Sequence, residues 1–121
     1  MKKHYPFENA PLAYAYDALE PYIDEKTMQL HHERHLKTYI DNLNSILKKY
    51  PQFQTLTLEQ LIHTTRQVPE RDCIAIARNA SGVYNHQFFF NGMCPDGKKA
   101  PSGALAVDIN RRFGSLNAFR E

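Results

Sequence analysis

From Glu25 to Tyr50 the chain contains neither proline nor glycine, and Pro51 ends the run. No other feature constrains the fold as much, because proline and glycine are the residues that interrupt helices. The run predicts a helix of about 25 residues, about 37 Å long at a rise of about 1.5 Å per residue. Asp24 offers an N-cap oxygen, and Glu25 places an anion in the first turn, where the macrodipole favours it. Met28, His31, His35, Tyr39, Asn42 and Ile46 recur by threes and fours and define the expected inner face, flanked by Leu43 and Leu47. Lys26, Glu33, Lys37, Asp41 and Lys48 fall opposite. The inner face is unusually polar for a core stripe.

Residues 1–23 carry Pro6, Pro11 and Pro21 among Tyr5, Phe7, Tyr14, Tyr16 and Tyr22. That pattern predicts an extended arm lying on a surface. Thr57 and Gln60 match a capping box and open a shorter helix that ends before Pro69. Pro69 is expected as the first residue of a third helix, running to about Met93 with Ile76, Asn79, Val83, His86 and Phe90 on one face. Gly82 interrupts it at a cost of about 1 kcal/mol against alanine, which predicts close packing or a site there. Pro95 to Pro101 reads as a loop. Ser102 caps a helix through Phe113 with Leu105, Ile109 and Phe113 as its stripe, Gly114 ends it, and Ser115 caps another. That last helix is cut off soon after it begins, so Glu121 reads as an interrupted end. The expected architecture is all-α, with the two long helices forming an antiparallel hairpin.

Fifteen Lys and Arg against thirteen Asp and Glu leave a net charge of +2. This balance argues against a nucleic-acid binder working by bulk charge. No apolar run approaches the ~20 residues that a membrane span needs, and no apolar stretch follows Met1 as in a signal peptide. Cys73 and Cys94 are too few for a disulfide framework and read as reduced thiols of a cytoplasmic protein.

The histidines carry the chemistry. His31 and His35 are four apart and point the same way, so they could converge on a metal ion. They could equally be core histidines bonded to backbone or carboxylates. His32-Glu33-Arg34-His35 is one residue short of the His-Glu-x-x-His protease motif, so that reading fails. In an antiparallel hairpin His86 can face His31, and one ligand from each of two packed helices is a normal way to build a bundle metal site. Phe88, Phe89 and Phe90 would give it a dry shell. His4 and His63 read as surface residues, and His32 as pointing away from His31.

Several ordered motifs resemble the iron/manganese superoxide dismutases. They are Pro11-Leu12-Ala13-Tyr14-Ala15-Tyr16-Asp17-Ala18-Leu19-Glu20-Pro21, Met28-Gln29-Leu30-His31-His32 through His35 and Tyr39 to Asn44, and Asn79 through Gly82 and His86 to Phe89. Pro101 to Leu105 and Asp108 to Ser115 are similar to the start of that family's C-terminal domain. The resemblance implies a helical-hairpin N-terminal domain over 1–93, then a linker and an incomplete start of the C-terminal domain over 94–121. It implies superoxide dismutation by a redox-cycling Mn or Fe ion, with His31 and His86 as ligands. It places Tyr39 behind the ligands at the mouth of the substrate channel, and His35 behind them near a dimer interface. It therefore pairs His31 with His86 rather than with His35.

The departures from the family matter as well. Family members continue into an α/β domain whose Asp-x-Trp-x-x-His segment supplies two further ligands. They also place a Gln either four residues before the second His, where this chain has Gly82, or in the C-terminal domain; glycine here leans towards the manganese-type or dual-metal arrangement. Phe90 stands where an aromatic residue, often Trp, is expected. Two ligands of four imply little activity from this chain alone, and a homo-oligomer or a C-terminal half supplied in trans. The alternative is a non-catalytic, self-associating helical protein derived from such an enzyme, in which two copies could gather four imidazoles around zinc.

Overall fold

The computed structural model describes residues 3–63, 68–97 and 100–121. Among these the regular structure is helical, with no strand. No helix is long and apolar enough to cross a membrane. The proline-free run forms one rod of three consecutive segments: α1 (Glu25–Leu30), a π-helical segment (His31–Leu36) and α2 (Lys37–Leu47). Asp24 caps it as expected, accepting the Thr27 N–H at 2.9 Å and the Thr27 hydroxyl at 2.7 Å. The rod stops at Leu47 rather than Tyr50. A residue before proline is disfavoured in the α region, and Tyr50 accordingly takes φ −128°, ψ 72°.

The π segment corrects the expected inner face. The buried stripe of the rod is Met28, His32, Leu36, Ile40, Leu43 and Leu47, one residue out of phase with the expected one after Met28. A π turn closes its hydrogen bonds at i→i+5 and so takes up more residues than an α turn. Steps of four then hold one face from Met28 to Ile40, and α2 returns to threes and fours. His35 and Asn42 are exposed, while His31, Tyr39 and Ile46 lie half-buried along the flank. The polarity of the expected stripe thus has a simple cause: it borders the core.

After a 3₁₀ turn (Pro51–Phe53) comes α3 (Leu58–His63). It opens on a reciprocal capping box: Thr57 N–H donates to Gln60 Oε1 at 2.9 Å and Gln60 N–H to Thr57 Oγ1 at 3.3 Å. The expected stop before Pro69 falls at 64–67, outside the described residues. Helix α4 (Glu70–Asn91) begins just after Pro69, which is extended (φ −49°, ψ 139°) and therefore caps the helix instead of opening it. The rod and α4 run antiparallel: His31 meets His86, Tyr39 meets Gly82, and the Tyr50 hydroxyl donates to Asp72. Leu43 and Leu47 of the rod, Leu61 of α3, and Ile76 and Val83 of α4 are fully buried in one core cluster, each contributing about 1.5–3 kcal/mol by burial.

The arm is fastened to the hairpin but is not extended throughout: residues 15–23 form successive turns, with the Ala18, Glu20 and Tyr22 N–H groups donating to the Ala15, Asp17 and Leu19 carbonyls. Phe7 is buried, and its backbone N–H and C=O pair with the Asn44 carboxamide, both at 2.9 Å. Tyr5, Tyr14 and Tyr16 pack on the core, whereas Tyr22 stands in solvent. Beyond the 95–101 loop, of which residues 98 and 99 lie outside the described residues, come α5 (Gly103–Phe113) and α6 (Leu116–Arg120). Gly114 ends α5 at φ +81°, a conformation that favours glycine. The Ser115 hydroxyl oxygen caps α6 by accepting the Ala118 N–H at 3.1 Å. Of the expected α5 stripe only Ile109 is buried; Leu105 and Phe113 are exposed.

Candidate metal centre

His31 opens the π segment, and His86 lies in the last half of α4. Their rings meet edge to face with centroids 4.8 Å apart. The His86 Nδ1–H donates to the Gly82 carbonyl one turn back at 2.7 Å. A carbonyl can only accept, so Nδ1 carries a proton, and in the neutral ring the free lone pair is on Nε2. Such a bond from the distal nitrogen fixes the tautomer and orientation of a ligating imidazole. The His31 ring makes no hydrogen bond among the described residues. Burial first, then charge on His86 and on His35, holds its pKa below the ordinary 6.5. It is therefore neutral at neutral pH, with a lone pair to offer.

The surroundings are aromatic. His31 lies 5.0 Å from the Phe90 ring and 5.4 Å from Phe89, centroid to centroid. Tyr39 is 5.3 Å from His86, and its ring rests on Gly82. An ideal β-carbon on Gly82 would come within 2.3–2.6 Å of three Tyr39 ring carbons. The glycine therefore marks close packing, as its position in the helix predicts. His35 stands 5.8 Å from His31 on the outer flank and is exposed.

The structure thus brings His31, His86 and Tyr39 together and leaves His35 at the edge. Two imidazoles on facing helices are a donor pair of the kind that suits a divalent transition metal. Among the described residues no three His, Cys, Asp or Glu side chains converge, so further donors would have to come from elsewhere.

His32 has a role that spacing alone did not reveal. It is 4% exposed, and both ring nitrogens are used. Nε2–H donates to the Ala10 carbonyl at 2.9 Å, which leaves Nδ1 to accept the Tyr16 hydroxyl at 2.8 Å. Asn9 Nδ2 donates to the His32 carbonyl at 3.0 Å. A buried imidazole needs partners, and here the arm supplies them. The available sequence signal was the step of four from Met28 through His32 to Leu36.

The sequence model for "Iron/manganese superoxide dismutases, alpha-hairpin domain" matches residues 6–94. The chain is 44% identical over 116 residues to a protein of Leptolyngbya boryana named "Superoxide dismutase [Mn] 1", which covers 96% of this chain and 47% of that protein. It is 39% identical over 117 residues to "Superoxide dismutase [Mn]" of Thermus thermophilus, covering 97% of this chain and 57% of the relative. The chain spans about half the length of the curated relatives it matches.

Proposed function

Because this chain belongs to the iron/manganese superoxide dismutase family, we propose that it is the helical-hairpin portion of a superoxide dismutase and that His31 and His86 hold the metal. One observation carries the reading: two imidazoles from antiparallel helices stand 4.8 Å apart, and the Gly82 carbonyl leaves His86 Nε2 free. A bound manganese or iron would supply the one-electron exchange that turns superoxide into oxygen and hydrogen peroxide. The chain's own residues do the rest. Phe90, buried against His31, excludes water on that side and lowers the local dielectric. Tyr39, held on Gly82 next to His86, presents a phenol Oη that can hold a proton near the reacting oxygen. His35 flanks His31 on the solvent side. Remaining donors come from protein outside the described residues, on a continuation of the chain or on a partner.

The test is a titration of the full chain with manganese(II) chloride, followed by the NMR lines of the histidine rings. His31 and His86 should broaden at lower manganese than the exposed His4 and His63. Superoxide consumption by the loaded chain, even if slow, should fall in His31→Gln and His86→Gln. Equal broadening of all histidines overturns the reading.

A second reading is favoured by the apolar face beside the pair, where Phe88 is 74%, Phe89 44% and Leu30 41% exposed. Such a face suits self-association. Two copies of a non-catalytic protein would then gather four imidazoles around zinc. Sedimentation with and without zinc separates the two readings: a zinc-dependent dimer without dismutation supports the second.

A further inference from the structure

We propose that His32 and Tyr16 form a rotational lock that aims the His31 imidazole at His86. The geometry of the lock stands on its own; its meaning for a metal rests on the ligand reading above.

The lock acts on the π segment. Its wider turn occurs in short pieces, often at functional sites. Relaxation of this segment to an α-helix would shift the register by one residue and turn α1 by about 100° relative to α2. His31 opens the segment, so its direction depends on what holds that turn.

On the arm side its packing is incomplete. A cavity of ≈ 220 Å³ lies there, lined by residues that include Asn9, Leu12, His32, Leu36, Gln87 and Phe90. The buried Asn9 Oδ1 has no hydrogen-bond partner among the described residues. Hydrogen bonds hold it instead: Tyr16 Oη to Nδ1, Nε2–H to the Ala10 carbonyl, and Asn9 Nδ2 to the His32 carbonyl. Tyr16 keeps its proton for this bond, because burial, and then the nearby Glu33 carboxylate, hold its phenol pKa above the ordinary value. The same arm reaches α4, where the Tyr14 hydroxyl donates to the Phe90 carbonyl at 2.8 Å. The arm therefore braces both helices next to the imidazole pair, and among the described residues its hydrogen bonds to the turn that carries His31 come from Tyr16, Ala10 and Asn9.

The experiment is NMR of the full chain with isotope-labelled histidine. In the parent, His31 ring protons should show NOEs to His86 and Phe90. Tyr16→Phe removes one hydroxyl and keeps the ring; it should abolish or sharply weaken these NOEs while circular dichroism stays helical. Tyr14→Phe removes the other arm hydroxyl and should leave them intact. Asn9→Ala should weaken them partly, and it carries the test if Tyr16→Phe does not fold. Undiminished NOEs in Tyr16→Phe and Asn9→Ala overturn the lock, as does equal loss in Tyr14→Phe, which would mean a general loosening of the arm. The manganese titration is independent: without selective broadening in the parent the ligand reading falls, and the lock is still decided by the NOEs.

Discussion

An ideal β-carbon on Gly82 would lie 2.3 Å from Cδ1 of Tyr39, so the tyrosine ring occupies the place of the side chain that α4 lacks there. One glycine thereby does two things. Its carbonyl orients His86, and its missing β-carbon seats Tyr39. The same contact leaves no room at this position for a glutamine, one of the two placements known in the family, while Tyr39 stays where it is.

Gly82→Ala sets helix propensity against packing. Alanine gains about 1 kcal/mol in a helix interior, but forcing a methyl into the Tyr39 ring costs about 1–3 kcal/mol. The expected outcome is a lower unfolding midpoint in urea. In a Tyr39→Ala background the obstruction is gone, and the same change should become stabilising. A double-mutant cycle measures that reversal.

His32 and His35 look alike in the sequence and should differ sharply when removed. His32→Ala leaves a cavity and strips partners from Tyr16 and Ala10, at a cost of about 2–4 kcal/mol. His35→Ala, on the exposed flank, should stay within about 0.5 kcal/mol of the parent. Comparable losses in both would contradict the assignment of His32 as the buried anchor.

Stability should depend on pH through His31. Its folded pKa lies below the ordinary 6.5, with burial the largest cause. As pH falls from that value the unfolded chain takes up the proton first. The contribution is therefore complete above the ordinary value and is lost as pH falls towards and through the folded one. An NMR titration should place the His31 midpoint lower in the folded chain than in urea. His35→Ala should raise the folded midpoint slightly, by removing the smallest of the three causes.

The capping box of α3 offers a local test. Thr57→Ala removes the oxygen that accepts the Gln60 N–H and should cost about 1 kcal/mol. The same change at Thr38 is a suitable contrast. Its hydroxyl donates to the Arg34 carbonyl within the rod, so no cap is lost, and the destabilisation should be smaller.

Local signals were legible because they act over one or two turns. The Asp24, Thr57 and Ser115 caps, the Gly114 terminus and the extents of α4 and α5 follow from backbone sterics and unpaired helix-end groups, which nearby residues satisfy or fail to satisfy. That His86 can face His31 followed from an antiparallel hairpin, and the family resemblance implied their pairing over that of His31 with His35. The motif resemblance reached the family for the same reason: it reads ordered residues. The inner face of the rod was misread by one position, because a fixed α period cannot show a π turn.

Only the tertiary structure separated the neighbouring histidines. By itself, the sequence determined that two long amphipathic helices would pack and that imidazoles would lie along their contact. It could not determine which imidazole is spent inside and which is left with a free nitrogen. That depends on the wide turn at His31–Leu36 and on an arm that returns from ~20 residues away in sequence to satisfy His32. A buried ring must find its partners wherever the folded chain places them, and period and spacing carry no record of that distance in space.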